Sequence, residues 1–228
     1  MKKTSTLFFC ICLSVFAFAQ SNSNNLAQTG SGNSASITQV GTQNKTLVVH
    51  TGDDNSLTLG QNGSSNTAEN QVTGSENQIF IQQVGGTNNA VTIIQANSNT
   101  ASVSQEGDNN VANQTLQSDD SRASIFQEGD NNQSIQQQLG VGNQTAIVDI
   151  VGNDNNSTQA QNGENNYSNL NVVGSTNIDI IQQNGVSNSM GAMVEGNGNQ
   201  INMLQNGNNN FAGANHDPRL LHPGDGNS

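Results

Sequence analysis

The hexapeptide QEGDNN stands at 105–110 and again at 127–132, and GDDN stands at 52–55. Carboxylate and amide oxygens held in a glycine turn are the donors that a calcium loop uses. Calcium-binding rolls repeat every nine residues, with an acidic ligand in nearly every turn. Here Asp follows a turn glycine only at Asp53, Asp108 and Asp130. The three histidines, His50, His216 and His222, stand in no local motif with a serine and a carboxylate, so no catalytic triad is suggested. The glycine-rich turns lack the lysine and the following helix of a phosphate cradle. Glu106 and Glu128 form a carboxylate pair only because the hexapeptide repeats. No enzymatic activity, metal or cofactor is expected. The chemistry these residues do support is hydrogen bonding, since the chain holds 40 Asn and 25 Gln. A primary amide has two donor hydrogens and an acceptor oxygen. Identical amides stacked one strand apart therefore bond along the stack.

The first 19 residues are of another kind. Lys2 and Lys3 precede the apolar run 7–19, which ends in Ala17-Phe18-Ala19. That is the pattern of a secretory signal peptide cleaved after Ala19, and the run is too short to span a membrane as a helix. Cys10 and Cys12 fall inside it, so the chain from Gln20 has no cysteine and uses neither disulfides nor thiolate-bound metal. That chain carries Lys45, Arg122 and Arg219 against 17 acidic side chains, a formal charge of −14. So few cations argue against nucleic acid and against insertion into or binding to an anionic membrane.

The amides follow a period. Turn centres fall at Gly30, Gly41, Gly52, Gly63, Gly74, Gly85, Asn97, Gly107, Asp119, Gly129, Gly140, Gly152, Gly163, Gly174, Gly185, Gly196 and Gly207. Eleven of the 16 intervals are 11 residues long, and every glycine of the series has Asn three positions later. Between turns the apolar spacing is two, as in Leu57, Leu59 and Gln61 or Ile79, Ile81 and Gln83. That is a strand with one apolar face. Glycine supplies positive φ in the turns, and Asn97 and Asp119 are expected to substitute for it. No proline occurs between Gln20 and Asp217, as a structure that pairs nearly every backbone N–H requires.

Two strand-turn units make a 22-residue coil, so equivalent residues recur every 22 positions and stack. The expected fold is all-β: a parallel two-sheet β-solenoid of about eight coils over residues 28–210, with cross-β stacking. A short segment, 20–27, precedes it and a mobile tail, 211–228, follows. Gly41, Gly63, Gly85, Gly107 and Gly129 form one column of turns, and Asn44, Asn66, Asn88, Asn110 and Asn132 another column beside it.

The spacing in SASITQVGTQN (34–44), SVSQEGDNN (102–110) and SIFQEGDNN (124–132) resembles the curlin repeat of curli, the extracellular amyloid fibres of bacterial biofilms. The resemblance covers about residues 28–210. It implies ladder glutamines at Gln39, Gln61, Gln83, Gln105 and Gln127 on one sheet. It implies a second ladder at Gln95, Gln117, Gln138, Gln161, Gln183 and Gln205 on the other. It further implies a secreted subunit that polymerises with itself at the cell surface, with a nucleator subunit and outer-membrane secretion proteins as partners. The glycine-rich targeting stretch of that family is missing from 20–27, and Ile150, Val172 and Val194 interrupt the first ladder. A monomeric secreted β-solenoid adhesin or surface protein is the alternative, ahead of calcium- or ice-binding solenoids.

Overall fold

Ser56, Thr58 and Gly60 alternate with Leu57, Leu59 and Gln61, and the chain there is a strand that buries the second set. The computed structural model describes residues 21–216, and this alternation runs through all 18 of its strands. They are β1 (Ser23–Thr29), β2 (Ser34–Thr42), β3 (Lys45–Thr51), β4 (Ser56–Ser64), β5 (Thr67–Thr73), β6 (Gln78–Gly86), β7 (Asn89–Ile94), β8 (Thr100–Glu106) and β9 (Val111–Leu116). The series continues with β10 (Arg122–Glu128), β11 (Gln133–Gly140), β12 (Thr145–Val151), β13 (Asn156–Glu164), β14 (Tyr167–Val173), β15 (Ile178–Val186), β16 (Ser189–Glu195), β17 (Gln200–Asn206) and β18 (Phe211–His216). Odd strands form one nine-stranded sheet and even strands the other. Every pairing is parallel and in register.

The fold is thus the parallel two-sheet β-solenoid, with nine coils in place of the expected eight. The 17 turns have a strand on both sides, so the strand before the first turn and the one after the last complete a ninth coil. At ~4.8 Å per coil the stack is about 43 Å long. The first strand starts at Ser23, inside the segment 20–27, because Leu26 and Gln28 continue the inward alternation and pair with Val48 and His50. The last strand runs past Asn210 to His216 and pairs with β16. The signal-peptide reading of 1–19 and residues 217–228 of the tail lie outside the described residues.

Each sheet contributes three inward files. The middle file of the even sheet is apolar throughout its buried length: Leu59, Ile81, Val103, Ile125, Val148, Leu170 and Ala192. Burying these side chains supplies the area-proportional stabilisation that ordering of the chain opposes. The interior is only two side chains thick, so the remaining inward positions hold polar groups whose partners must come from neighbouring coils.

The turns explain the glycine period. Gly63 has φ 132°, and a Cβ there would lie 1.9 Å from the carbonyl oxygen of Gly85 on the next coil. Two residues after most turn centres a second residue takes positive φ, among them Gln43, Asp54, Ser65, Glu76 and Thr87. The expected turn centres Asn97 and Asp119 are displaced by one. Ala96 lies over Gly74, and neither Ala96 nor Ser118 has positive φ. The period of 11 therefore continues unbroken through 74, 85, 96, 107, 118 and 129. One residue is truly inserted, between Gly129 and Gly152, which stack 23 positions apart.

The two turn sites separate by substitution. Gly63→Ala combines forbidden φ with overlap on the next coil and should cost about 3 kcal/mol. Thr87 is β-branched at φ 57°, and Thr87→Asn should stabilise by about 1 kcal/mol. Guanidinium midpoints of the two variants should move in opposite directions.

Candidate functional site

The polar interior is built by glutamine. In the even sheet Gln39 Nε2 donates to Gln61 Oε1 at 2.7 Å, Gln61 to Gln83 at 2.8 Å, Gln83 to Gln105 at 2.9 Å and Gln105 to Gln127 at 2.9 Å. The second hydrogen of the same Nε2 crosses the interior to a main-chain carbonyl of the odd sheet. Gln83 reaches Thr67 O at 2.9 Å and Gln127 reaches Val111 O at 3.0 Å. Glutamine is long enough to do both, and each buried amide is then satisfied along the axis and across it. Small residues opposite make the room: Gln39 and Gln127 also donate to Thr46 Oγ1 and Ser134 Oγ.

The odd sheet carries the corresponding file Gln138–Gln161–Gln183–Gln205, with bonds of 3.1, 2.9 and 3.1 Å. Gln95 and Gln117 are not part of it. Both are exposed and bond each other on the outer surface, Gln117 Nε2 donating to Gln95 Oε1 at 2.7 Å. Their inward places belong to Ile94 and Leu116, and Leu116 lies beside Gln138. A one-residue shift in a strand moves every side chain to the other face, and here it buries two aliphatic chains in place of two amides. His50 and Val72 continue that file toward the N-terminus.

The structure holds a third file that the turn-centred reading missed, in the middle of the odd sheet. Gln114 Nε2 donates to Gln136 Oε1 at 3.0 Å and Gln136 Nε2 to Gln159 Oε1 at 3.1 Å. Alternation from Asn110 through Ala112 to Gln114 would have revealed it. Files carry a cost where they begin: the Oε1 atoms of Gln114 and Gln138 are buried without a partner. An unmet acceptor of this kind costs on the order of 1–3 kcal/mol.

The asparagines clip the turns. Asn66 Oδ1 accepts from the N–H of Asn88, and Asn66 Nδ2 donates to Gly85 O at 2.8 Å, so one side chain holds two main-chain groups of the following coil. Asn44, Asn88, Asn110 and Asn132 do the same toward Gly63, Gly107, Gly129 and Gly152. The other row of turns has an equal set, including Asn33, Asn55 and Asn77. At the one-residue insertion Gln144, longer by a methylene, takes the asparagine's place and reaches Gly163 O at 2.9 Å.

Residues just after the turn centres clip in the opposite direction. Asp53, Asp108, Asp119 and Asp130 accept from the N–H groups of Ser31, Gly86, Asn97 and Asp108 on the preceding coil, at 2.6–2.8 Å. The hydrogen bonds from the N–H and hydroxyl of Ser31 hold the Asp53 carboxyl below its usual range. These carboxylates are occupied with backbone donors, which is a role different from the calcium ligation weighed for GDDN and QEGDNN. Among the described residues no group of three or more acidic, His or Cys side chains is placed to hold a metal ion.

Two buried ionisable groups stand out. His50 is fully buried, with Nε2 donating to Asn70 Oδ1 at 2.7 Å, and burial lowers its pKa against the opposing effect of that bond. Asp179 is 1% exposed in an inward file between Ser157 and Ile201, and neither carboxylate oxygen has a partner. Burial pushes its pKa up to about 7.

The sequence model of the curlin associated repeat matches residues 52–85 and again 74–107. Each matched segment runs from a turn glycine to the turn glycine three units on, and the second starts one coil after the first. Residues 52–107 thus carry the curlin associated repeat. No curated protein matches the chain at a significant level. The curlin repeats at 52–107 contain the Gln61–Gln83–Gln105 stretch of the amide file and the Asn66 and Asn88 clips.

Two outcomes follow for the interior. Gln83→Ala leaves Gln61 and Gln105 each without a bond and should cost about 3 kcal/mol, whereas Gln95→Ala, on the surface, should stay within about 0.5 kcal/mol. Equal guanidinium midpoints for the two would place the wrong glutamines inside. For Asp179 the folded pKa lies above the unfolded value near 4. The folded chain therefore holds a proton that the unfolded one releases between those values. Stability from this group is complete below about pH 4 and is lost as pH rises through about 7. Asp179→Ala should raise the midpoint at pH 8 and flatten the fall between pH 5 and 8, read from melts across that range.

Proposed function

We propose that this chain is the structural subunit of an extracellular, curli-like amyloid fibre that serves adhesion and the biofilm matrix. The observation that carries this reading is the pair of open ends. The strands β1 and β2 at one end and β17 and β18 at the other each have a neighbour on one side only, and no helix among the described residues covers them. Exposed strand edges template further strands, and solenoids that remain monomers carry distinct capping repeats. The curlin repeats and the signal-peptide pattern support export, and the partner of first rank is another copy of the chain. A nucleating subunit and outer-membrane secretion proteins complete the expected set of partners.

Purified chain beginning at Gln20 should form fibres visible by electron microscopy, bind thioflavin and give a meridional reflection near ~4.8 Å. A chain that stays monomeric for days at tens of micromolar would be the secreted β-solenoid adhesin instead.

A further inference from the structure

The outer faces of the two sheets differ in charge. Between its turns the even sheet directs Arg122, Glu106, Glu128, Asp149 and Glu195 outward. The odd sheet, also of nine strands, directs only Lys45 and Glu69 outward among the described residues. One outward file of the odd sheet alternates along the stack. Leu47, Val91, Ile135 and Ile180 hold it in the second, fourth, sixth and eighth coils. Asn25, Asn113 and Asn202 hold it in the first, fifth and ninth, with Glu69 and Thr158 in the third and seventh. The four aliphatic side chains are partly exposed and stand ~9.6 Å apart, two coil spacings. In its order of polar and apolar side chains the file is the same from either end, with Asn113 at the centre.

We propose that the outer face of the odd sheet docks laterally on the same face of a second copy of this chain, about a two-fold axis that runs along β9. Leu47 then lies over Ile180 of the second copy, Val91 over Ile135, and Asn25 over Asn202. Glu69, the one carboxylate on the face, meets the hydroxyl of Thr158, which is a donor. One patch supplies both halves of such a contact, so it must be complementary to itself, and the alternating file is. The flanks agree. Leu204, 57% exposed, falls over the small Ala27, and Gln182 and Gln137 cover Val49 and Ile93. Lys45 stands on the rim, where its stem covers Ile178, 46% exposed, and its ammonium stays in water.

Charge and area select a second copy as the occupant. From Gln20 the chain carries a formal charge of −14, which repels a copy on most approaches. The odd face brings two copies together with one carboxylate each. A cationic partner would find its acids in the turns and on the even sheet instead. An apolar partner of another design would have to repeat aliphatic ridges every ~9.6 Å, a spacing a second copy already has. Nine coils give the face a length of about 40 Å and a width of about 20 Å. That is on the order of 800 Å² per copy, the size of a stable protein interface. Neutral amides and aliphatic side chains interdigitate between facing sheets ~10 Å apart. The contact goes beyond the fibre reading, since two soluble copies make it as a dimer and two fibres make it once per molecule.

Thiol cross-linking reads the contact directly, because the chain from Gln20 has no cysteine of its own. Asn113 faces itself across the axis, so Asn113→Cys treated with a bis-maleimide spanning about 10 Å should give covalent dimers, in solution and in fibres. Leu47→Cys alone should give none, because it faces Ile180, and Leu47→Cys/Ile180→Cys should give them. Ser104→Cys, on the outer face of the even sheet, should give none. Val91→Lys/Ile135→Lys sets like charges opposite one another and should weaken dimerisation at least about tenfold by sedimentation and leave fibres single by electron microscopy. Val91→Glu/Ile135→Lys sets opposite charges across the same axis and should restore both. Dimers from Leu47→Cys alone, equal yields from Ser104→Cys and Asn113→Cys, or a Val91→Glu/Ile135→Lys variant no better than the double lysine would each overturn the two-fold contact. Wild-type fibres that stay single, with Asn113→Cys uncoupled, overturn it while the fibre reading stands. Coupled dimers from a chain that forms no fibre overturn the fibre reading and leave the contact in place.

Discussion

A buried amide in this molecule can be satisfied only by the coil before it or after it. The interior is two side chains thick, and the inward side chains of both sheets are buried along most of its length. Each inward Gln or Asn must therefore find its donors and acceptor one coil spacing away or directly across. Parallel, in-register pairing of every strand follows from that requirement. It is the arrangement that sets identical side chains over one another. It also explains why the composition, which would ordinarily describe a disordered polar tract, yields an ordered stack. A composition of amides is costly inside a protein when they are irregular and stabilising when they are aligned.

The same requirement gives the stack a direction. In the buried files glutamine Nε2 points toward the next coil, asparagine side chains grip the next coil's turn, and the Asp, Asn and Ser side chains after the turn centres grip the previous one. Every coil is thus held from both sides by different residue types acting on different backbone groups. Where a file begins, as at Gln114 and Gln138, an acceptor is left over. The chain limits such beginnings to a few by keeping each file long. A propagating stack has the further property that its two ends present unlike surfaces, which is what polar growth requires.

Apolar packing still decides local register. At residues 94–96 and 116–118 a glutamine and an aliphatic residue stand side by side, and either could point inward in an isolated strand. The aliphatic one does, because Ile94 and Leu116 continue the file from Val72 and each fills the space of the side chain below it. Asp179 marks the limit of the scheme. It stands between Ser157 and Ile201, neither of which is bonded to it, and burial makes its carboxyl resist ionisation.

The sequence alone determined the strands, the 22-residue coil, the inward face of most strands and the Gln39–Gln127 file, because all of these are periodic and period is a local property of the chain. It also located the asparagine and glycine columns, whose spacing is constant. Tertiary structure decided the rest. Gln95 stands two residues before Asn97, but the stacking of Ala96 on Gly74 shows that the turn is centred at 96 and that Ile94 holds the inward place. The middle file of Gln114, Gln136 and Gln159 stands four residues after Asn110, Asn132 and Asn155, where alternation could show it, but the glutamines two residues before the turns drew the reading away from it. The role of Gln144 follows from a single inserted residue that only the stacking of Gly129 on Gly152 reveals. The opposite directions of the asparagine and aspartate clips needed coordinates as well. Residue type tells which groups can bond, and only the fold tells which coil supplies the partner.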